Sequence, residues 1–261
     1  MLSENLARVR ARIQQACQRC GRDPASVTLV CVTKGVALEA IQEAVSLGVA
    51  DLGENRVQEA REKQLALYGI GKGSRVKGEG RDTTLYPPPS TLHRLKWHLI
   101  GHLQRNKARD AVELFDVIHS VDSVELVEEL ERQMEKRTQD SRLKTQGEAS
   151  LEVFVQVNVS GEATKFGCTP EEAPSLAQAI GRLPHLRLVG LMTMAPFVEH
   201  PEQARPYFRR LRLLRDAIVN TCHLSPVTCH LSMGMSNDFE VAIEEGADVV
   251  RIGSAIFKDS E

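Results

Sequence analysis

Short apolar runs alternate with amphipathic stretches along most of the chain. The first stretch has helical periodicity over residues 5–19, and Gly21 and Pro24 follow it as stop signals. Short apolar runs, several of them rich in β-branched residues, predict strands at residues 27–32, 51–54, 97–100, 117–121, 152–159, 187–192, 228–231 and 248–252. Helical periodicity predicts further helices at residues 38–48, 57–68, 104–113, 123–137, 171–181, 201–220 and 237–245.

Strands that alternate with helices are typical of an α/β protein with a parallel sheet. Eight such units favour a closed (β/α)8 barrel of the TIM type, with an extra N-terminal helix, although the pattern alone leaves a doubly wound open sheet as an alternative. The 261 residues suit one barrel, so we predict a single domain over residues 1–261. Residues 69–94 are rich in Gly, Pro and charge and have no periodicity, which predicts a flexible loop insertion; residues 138–150 are predicted to form a polar linker.

Composition and charge exclude several classes of protein. The formal charge of −2 at pH 7 gives no general attraction to nucleic acid or to an anionic membrane, and no apolar run approaches the ~18 residues that span a bilayer. The charged N-terminal stretch lacks the apolar core of a signal peptide, and the six cysteines form no framework, so we expect a cytoplasmic protein. A metal site at Cys17 and Cys20 would need two further ligands at matching spacing; small unligated thiols are the better interpretation, and we expect no metal.

A lysine follows the first predicted strand directly. In parallel barrels the functional residues gather at the C-terminal ends of strands and in the loops that follow. Lys34 comes after six mostly apolar residues, so we expect its amine to be held among apolar walls, where burial favours the neutral, nucleophilic form. Such an amine suits imine formation with an aldehyde. The alternative is a surface lysine that begins the first loop.

Two loops after the last predicted strands have the composition of a phosphate-binding site. The segment from Ser232 to Ser236 is small and contains Gly234, and Gly253 with Ser254 follows the eighth strand. Both segments lead into helices, so they offer backbone N–H groups, hydroxyls and helix N-terminal dipoles to an anion. Barrels commonly bind phosphate at these two positions. Helix caps and simple turns are the alternative for either loop alone; together with the strand-end lysine, the loops indicate a phosphorylated aldehyde or carbonyl ligand.

Ordered sequence blocks over nearly the whole chain resemble the pyridoxal phosphate homeostasis proteins, which are related to the N-terminal barrel of alanine racemase. The blocks are CVTKGV, DLGENRVQEAREK, WHLIGHLQRNKAR, IHSVDS, VQVNVSGEATKFG, LVGLMTMA, LSMGMSNDFEVAIEEGA and VRIGSAIF. The resemblance implies a fold-type III barrel, without a second β domain, that binds pyridoxal 5'-phosphate (PLP). It is the resemblance, not composition, that implies this cofactor.

The resemblance also implies roles for individual residues. It places a Schiff base with PLP, the internal aldimine, on Lys34, lays Asn55 against the pyridine ring and sets Arg251 near the ring nitrogen. A guanidinium there disfavours protonation of the nitrogen and weakens PLP as an electron sink. The positions that bind the phosphate or pack beside the cofactor are Met192, Ser232, Met233, Gly234, Ser236, Gly253 and Ser254, with core packing as the alternative for the two methionines.

Three further residues are secondary candidates. His98 lies inside a predicted strand, where a satisfied core or rim histidine is the commoner outcome. Asn158 ends the fifth predicted strand and is expected to face the cavity. Lys165 matches a loop lysine of the family that receives or hands over cofactor, and a solvated charge is the equal alternative.

The implied function is binding of PLP for its homeostasis, by buffering and delivery, rather than catalysis. Cofactor-free PLP enzymes are the candidate recipients, and we expect a monomer. The eighth predicted strand ends about ten residues before the end of the chain, so we expect no room for the β-rich domain that gives alanine racemase its opposing tyrosine. Two alternatives stay open: a racemase or lyase of low activity, with His98, His102 or Lys165 as acid or base, and an interaction module that docks a partner through residues 69–94.

Overall fold

A closed barrel of eight parallel strands forms the centre of the molecule. The computed structural model describes residues 1–68, 95–139, 150–222 and 229–258. Each strand pairs with the next along the chain, and the last pairs with the first. The strands are β1 Thr28–Val32, β2 Asp51–Glu54, β3 Lys96–Leu99, β4 Val117–Val121, β5 Leu151–Gln156, β6 Leu186–Met192, β7 His230–Ser232 and β8 Val249–Ile252. The predicted barrel is confirmed, and the open-sheet alternative is wrong.

Helices follow the strands and cover the outside of the barrel. Within the described residues they are α1 Leu2–Arg19, α2 Leu38–Ser46, α3 Val57–Tyr68, α4 Ala108–Leu114, α5 Val124–Gln139, α6 Ala173–Ile180, α7 Arg205–Cys222, α8 Phe239–Glu244 and α9 Ser254–Phe257. Among these helices, each is too short or too polar to cross a lipid bilayer. The loop predicted at 69–94 lies outside the described residues, as does most of the linker predicted at 138–150.

Side-chain alternation along the strands separates two apolar regions. Outward residues such as Cys31 and Leu99 pack under the helices in the main core, whereas a second cluster fills the barrel lumen. The members of the lumen cluster are Val30, Val117, Phe154, Val189, Met192 and Val249. Because the side-chain period of a strand is two, residues two positions away from these also face the lumen, and several of them are polar.

The extra N-terminal helix is held against the last helices of the barrel. α1 buries its apolar face and packs against α8 and α9. Asn5 Nδ2 donates hydrogen bonds to the backbone oxygens of Ile256 and Lys258, at 3.2 Å each. Arg12 forms an ion pair with Glu240 of α8 at 2.7 Å. These contacts tie the start of the chain to the region that follows β7 and β8.

Some elements end at residues other than the predicted ones. β5 ends at Gln156 rather than at 159, because Val157 pairs instead with Cys168 in an isolated bridge. α8 begins at Phe239 rather than at 237, because the Asp238 carboxylate accepts a hydrogen bond at 2.7 Å from the Met235 N–H and holds the preceding residues in a turn.

Candidate functional site

Lys34 lies at the C-terminal mouth of the barrel. Val30 of β1 faces the lumen, and strand alternation carries Val32 and then Lys34 toward the same side. The strand ends in a turn in which Gly35 has a φ of +67°. Lys34 is exposed in this turn, so the expectation that apolar walls bury its amine is wrong. Its place at the mouth, not burial, makes the amine accessible to a ligand.

Barrel closure brings the loop after β8 next to Lys34. Cys31 of β1 is paired with Ile252 of β8, so Gly253 and Ser254 stand beside the last residues of β1. A Cβ on Gly253 would lie 3.0 Å from the backbone oxygen of Val32, and a side chain there would crowd this close approach. The mouth is therefore lined at one place by an amine, backbone N–H groups and a hydroxyl.

The loop after β7 packs against the loop after β8. Ser236 Oγ accepts a hydrogen bond from the N–H of Ala255 at 3.3 Å. Gly234 has a φ of +93°, and a Cβ there would lie 2.6 Å from the Cβ of Ala242 in α8. A glycine is needed both for this backbone conformation and for this contact. The two loops thus form one surface with a glycine floor, which fits an anion such as phosphate.

Arg251 is a buried cation in the lumen beneath these loops. It is 3% exposed, and it donates from Nη1 to Ser232 Oγ at 2.6 Å and from Nη2 to the backbone oxygen of Thr193 at 2.9 Å. Burial lowers the pKa of Arg251 to about 10, and the field of Asp238 acts in the opposite direction. Ser232 is fully buried, its hydroxyl binds Arg251 and its backbone oxygen accepts a hydrogen bond from the Thr193 N–H, so the predicted phosphate contact falls to the backbone that follows Ser232.

The remaining primary candidates lie in three environments. Met192 is buried in the lumen cluster, whereas Met233 is buried in the main core, so the core-packing interpretation applies to Met233. Asn55 is half-buried after β2. Gly101, after β3, approaches it so closely that a Cβ on Gly101 would lie 2.3 Å from the Asn55 backbone oxygen. This approach holds the Asn55 backbone at the mouth.

The side chains of two secondary candidates are engaged by other residues of the chain. His98 is buried in the lumen, with its Nε2 2.9 Å from Asp51 Oδ1, which is the environment of a satisfied core histidine. The Asn158 amide nitrogen donates to the backbone oxygen of Glu162 at 2.9 Å, and its oxygen accepts hydrogen bonds within the same turn. The Asn158 side chain therefore holds its own loop together, and its position facing the cavity stays a prediction.

Two rim residues also have partners. Lys165 Nζ lies 3.2 Å from the Glu162 carboxylate. His102 stacks on the exposed ring of Phe166 with 3.9 Å between centroids, and its Nδ1 is 3.7 Å from the Asp122 carboxylate. His102 follows β3 and Lys165 follows β5, and the Lys165 amine is buried without a hydrogen-bond partner among the described residues. A role of either residue in proton transfer stays a prediction.

Two sets of polar residues were not singled out from the sequence. Thr33 and Glu54 are buried behind β1 and β2, where Thr33 Oγ1 donates to Glu54 Oε1 at 2.5 Å and Lys63 of α3 binds Glu54. His119 is fully buried in the lumen and joins His98 to the Ser232 hydroxyl. A polar residue at an inward position of an apolar strand was the available signal for His119. No sequence signal indicated the contacts of Thr33 and Glu54, because these contacts depend on how α3 folds back over the strand ends.

Two cavities lie at the opposite, N-terminal end of the barrel. One of about 610 Å³ is formed by α1 and the starts of β1 and β2. The other, of about 220 Å³, is lined by the first residues of most of the strands. Neither is at the mouth that holds Lys34.

Comparison with known proteins shows the family. Residues 5–261 match the family model described as alanine racemase, N-terminal domain. The pyridoxal phosphate homeostasis protein of Pseudomonas aeruginosa is 40% identical over 257 residues, which are 98% of this chain and 94% of that relative. The one of Aquifex aeolicus is 39% identical over 254 residues, 97% of this chain and 96% of that relative. This chain belongs to the pyridoxal phosphate homeostasis protein family.

Solved structures agree with this membership. PipY of Synechococcus elongatus has been solved without and with PLP bound; the two structures have TM-scores of 0.77 and 0.73 and identities of 32% and 31%, and each covers 98% of this chain and 100% of that chain. Alanine racemase of Corynebacterium glutamicum, at 14% identity and a TM-score of 0.59, shares the fold alone, and the match covers 61% of it. The resemblance based on the ordered sequence blocks is confirmed; the roles of individual residues stay predictions.

Proposed function

We propose that this protein binds PLP at the C-terminal mouth of its barrel, through the amine of Lys34, and that it buffers and delivers the cofactor. The closure of the barrel between β8 and β1 carries the proposal, because it sets Lys34 beside Gly253 and Ser254 and above buried Arg251. The amine suits the aldehyde of PLP, the loop surface suits its phosphate, and the buried cation suits its ring. The PLP-bound structure of PipY, 31% identical, supports the same ligand.

Different residues of the mouth would bind different parts of the ligand. Lys34 supplies the amine, and the backbone N–H groups after β7 and β8, with the Ser236 and Ser254 hydroxyls, would hold the phosphate. Asn55 would lie against the ring. Bound PLP supplies an electron-withdrawing pyridine ring. The positive charge of Arg251 disfavours a second positive charge on that ring, and this favours storage over catalysis.

Borohydride reduction of the PLP-loaded protein, followed by mass spectrometry of a digest, tests the attachment. We expect the reduced adduct on the peptide that contains Lys34, and we expect Lys34→Ala to lose both the adduct and the visible absorption band. Lys136→Ala, which removes an exposed lysine of α5, should keep both. An adduct on a different lysine, or a band that persists in Lys34→Ala, would overturn the assignment.

We further propose that the protein acts as a monomer in the cytoplasm and that cofactor-free PLP enzymes are the recipients. The scattered cysteines support the compartment, and the exposed position of Lys34 supports release of the ligand to another protein. PLP-loaded protein should restore the activity of a cofactor-free PLP enzyme faster than free PLP does, when the free PLP is supplied at the concentration that is in equilibrium with the loaded protein. Equal rates contradict delivery, and a sedimentation mass above that of one chain contradicts the monomer.

A further inference from the structure

Polar side chains cross the barrel lumen in a continuous line of hydrogen bonds. Asp51 Oδ1 lies 2.9 Å from His98 Nε2, and His98 Nδ1 lies 2.9 Å from His119 Nε2. His119 Nδ1 in turn lies 2.9 Å from Ser232 Oγ, which accepts a hydrogen bond from Arg251 Nη1 at 2.6 Å. We call this set the lumen line. It runs from the first residue of β2 to the buried cation beneath the mouth.

The two ends of the lumen line determine the direction of each hydrogen bond in it. A guanidinium only donates and a carboxylate only accepts. Ser232 Oγ receives a hydrogen from Arg251, and with both imidazoles neutral the Asp51 acceptor at the other end requires Ser232 to donate its own hydrogen to Nδ1 of His119. His119 then carries its hydrogen on Nε2 and donates it to Nδ1 of His98, which donates from Nε2 to Asp51. In this arrangement both imidazoles are neutral, both are protonated at Nε2, and each donor has an acceptor.

The burial of His119 supports the neutral arrangement. His98 is 4% exposed and His119 is fully buried. Burial holds the pKa of His119 well below its ordinary value, and the charge of the nearby Arg251 lowers it further. A doubly protonated His98 would donate to His119 Nε2 and move the hydrogen of His119 to Nδ1. Ser232 Oγ would then receive two donors, and its own hydrogen would lose its acceptor in the line.

The Asp51 end of the lumen line meets solvent in the N-terminal cavity of about 220 Å³. The Asp51 side chain is 23% exposed there. Charged and titratable groups of other strands face the same cavity: Lys96, Glu152, Arg187 and His230. Lys96 and Arg187 both pair with Glu152, which leaves Asp51 as the carboxylate that accepts from His98. The lumen line thus connects this cavity to the cation beneath the mouth.

We propose that Asp51, His98, His119 and Ser232 act together as positioning residues for Arg251. They hold the guanidinium in one orientation and place a balancing negative charge at the far end of the lumen line. A buried charge is tolerated only where its hydrogen bonds are satisfied, and bonds in a chain polarise one another. The contact of Arg251 with PLP rests on the proposed function, whereas the lumen line itself does not.

Nitrogen-15 NMR of histidine-labelled protein, freed of PLP, tests the direction of the line. We expect His98 and His119, assigned with His98→Gln and His119→Gln, each to carry a single ring hydrogen, on Nε2, in spectra recorded at about pH 8. In Asp51→Asn the new amide group can donate a hydrogen bond as well as accept one, so we expect mixed tautomers of His98 and His119. A doubly protonated imidazole, or a hydrogen on Nδ1 of either residue in the unmodified protein, overturns the proposal.

Titration with PLP, followed by absorption, provides a second readout. Ser232→Ala removes the hydroxyl between His119 and Arg251, and we expect about 10- to 100-fold weaker binding, as the loss of a hydrogen bond to a charged group implies. We expect Asp51→Asn to weaken binding less, and both variants to shift the absorption spectrum. Ser120→Ala is the matched control: Ser120 is buried next to His119, its hydroxyl has no hydrogen-bond partner within the described residues, and its loss should change neither readout.

The two readouts separate failure of the lumen line from failure of the proposed function. Unchanged PLP binding and spectrum in Ser232→Ala and Asp51→Asn would overturn the positioning role and leave PLP binding intact. If the unmodified protein binds no PLP, the proposed function fails and the NMR experiment still decides the line. Asp51 is partly exposed, so Asp51→Asn should fold. If Ser232→Ala does not fold, the binding and spectrum of Asp51→Asn alone decide the positioning role.

Discussion

Replacing Lys63 by methionine should destabilise the protein far more than a change at a partly exposed residue normally does. Lys63 Nζ binds the Glu54 carboxylate and also donates to the backbone oxygen of Thr33 at 2.5 Å. Glu54 is fully buried, and its Oε2 has no hydrogen-bond partner among the residues that the structure describes. After Lys63→Met, the carboxylate keeps only the Thr33 hydroxyl within this set of contacts. Thr33 directly precedes Lys34, so the same change loosens the turn that carries the amine.

The size of the effect follows from the burial of the pair. Breaking a buried ion pair by removing one partner costs about 3–5 kcal/mol, because it leaves a buried charge without compensation. The Lys63 side chain is 15% exposed and water can reach the site in part, so we expect a loss of about 3 kcal/mol. Since domains are stable by only about 5–15 kcal/mol, the loss is a large fraction of the total.

Urea unfolding at pH 7, followed by circular dichroism, measures this loss. Arg61→Met is the matched control, because Arg61 lies on the same helix and pairs with Asp110 while 45% exposed; such surface pairs contribute about 0–1 kcal/mol. Adding Glu54→Gln to Lys63→Met removes the stranded charge and should restore part of the stability. A loss below about 1 kcal/mol in Lys63→Met, or no recovery in the double variant, would refute the reasoning.

Two further predictions concern packing and pH. Gly101→Ala would place a Cβ 2.3 Å from the Asn55 backbone oxygen, so we expect a loss of about 1–3 kcal/mol in urea unfolding and weaker PLP binding; equal affinity would contradict the placement of Asn55 at the mouth. Burial alone would raise the pKa of Glu245, but hydrogen bonds from three arginines of α7 outweigh it and hold that pKa below its ordinary value. The resulting stability is present above about pH 4.3 and is lost as the pH falls through the lowered value. Glu245→Gln should therefore cost about 1–3 kcal/mol at pH 7, and this cost should shrink as the pH is lowered below about 4.3; a pH-independent difference would count against the ion pairs.

Local pattern was sufficient to predict most of the elements. Strands are short apolar runs and helices have a longer period, so the two kinds of element differ within a few residues of sequence. The errors fell at ends such as that of β5, where Val157 pairs with Cys168 across a loop. A pairing between residues so far apart in a loop leaves no periodic signal.

The candidate site was predicted in part. Lys34 and the Gly234 and Gly253 loops were found because strand ends and glycine turns are local features, and barrels use them at one face. An exposed Lys34 and a core position for Met233 were open alternatives that the sequence did not decide, and the use of the Asn158 side chain within its own turn was not predicted. Each depends on the direction in which a side chain leaves a loop, which sequence does not specify.

By itself, the sequence determined an alternating α/β chain, a lysine at the end of its first strand and two small loops near its end, because propensity and periodicity act over neighbouring residues. Only the tertiary structure brought the first and last strands together, so that Lys34 stands beside Gly253 and Ser254. It also turned the Ser232 hydroxyl inward to Arg251 and joined it through two histidines to Asp51. Those contacts depend on strand register and barrel closure, which are set by pairings between residues that are in part more than two hundred positions apart, such as Thr28 and Val249.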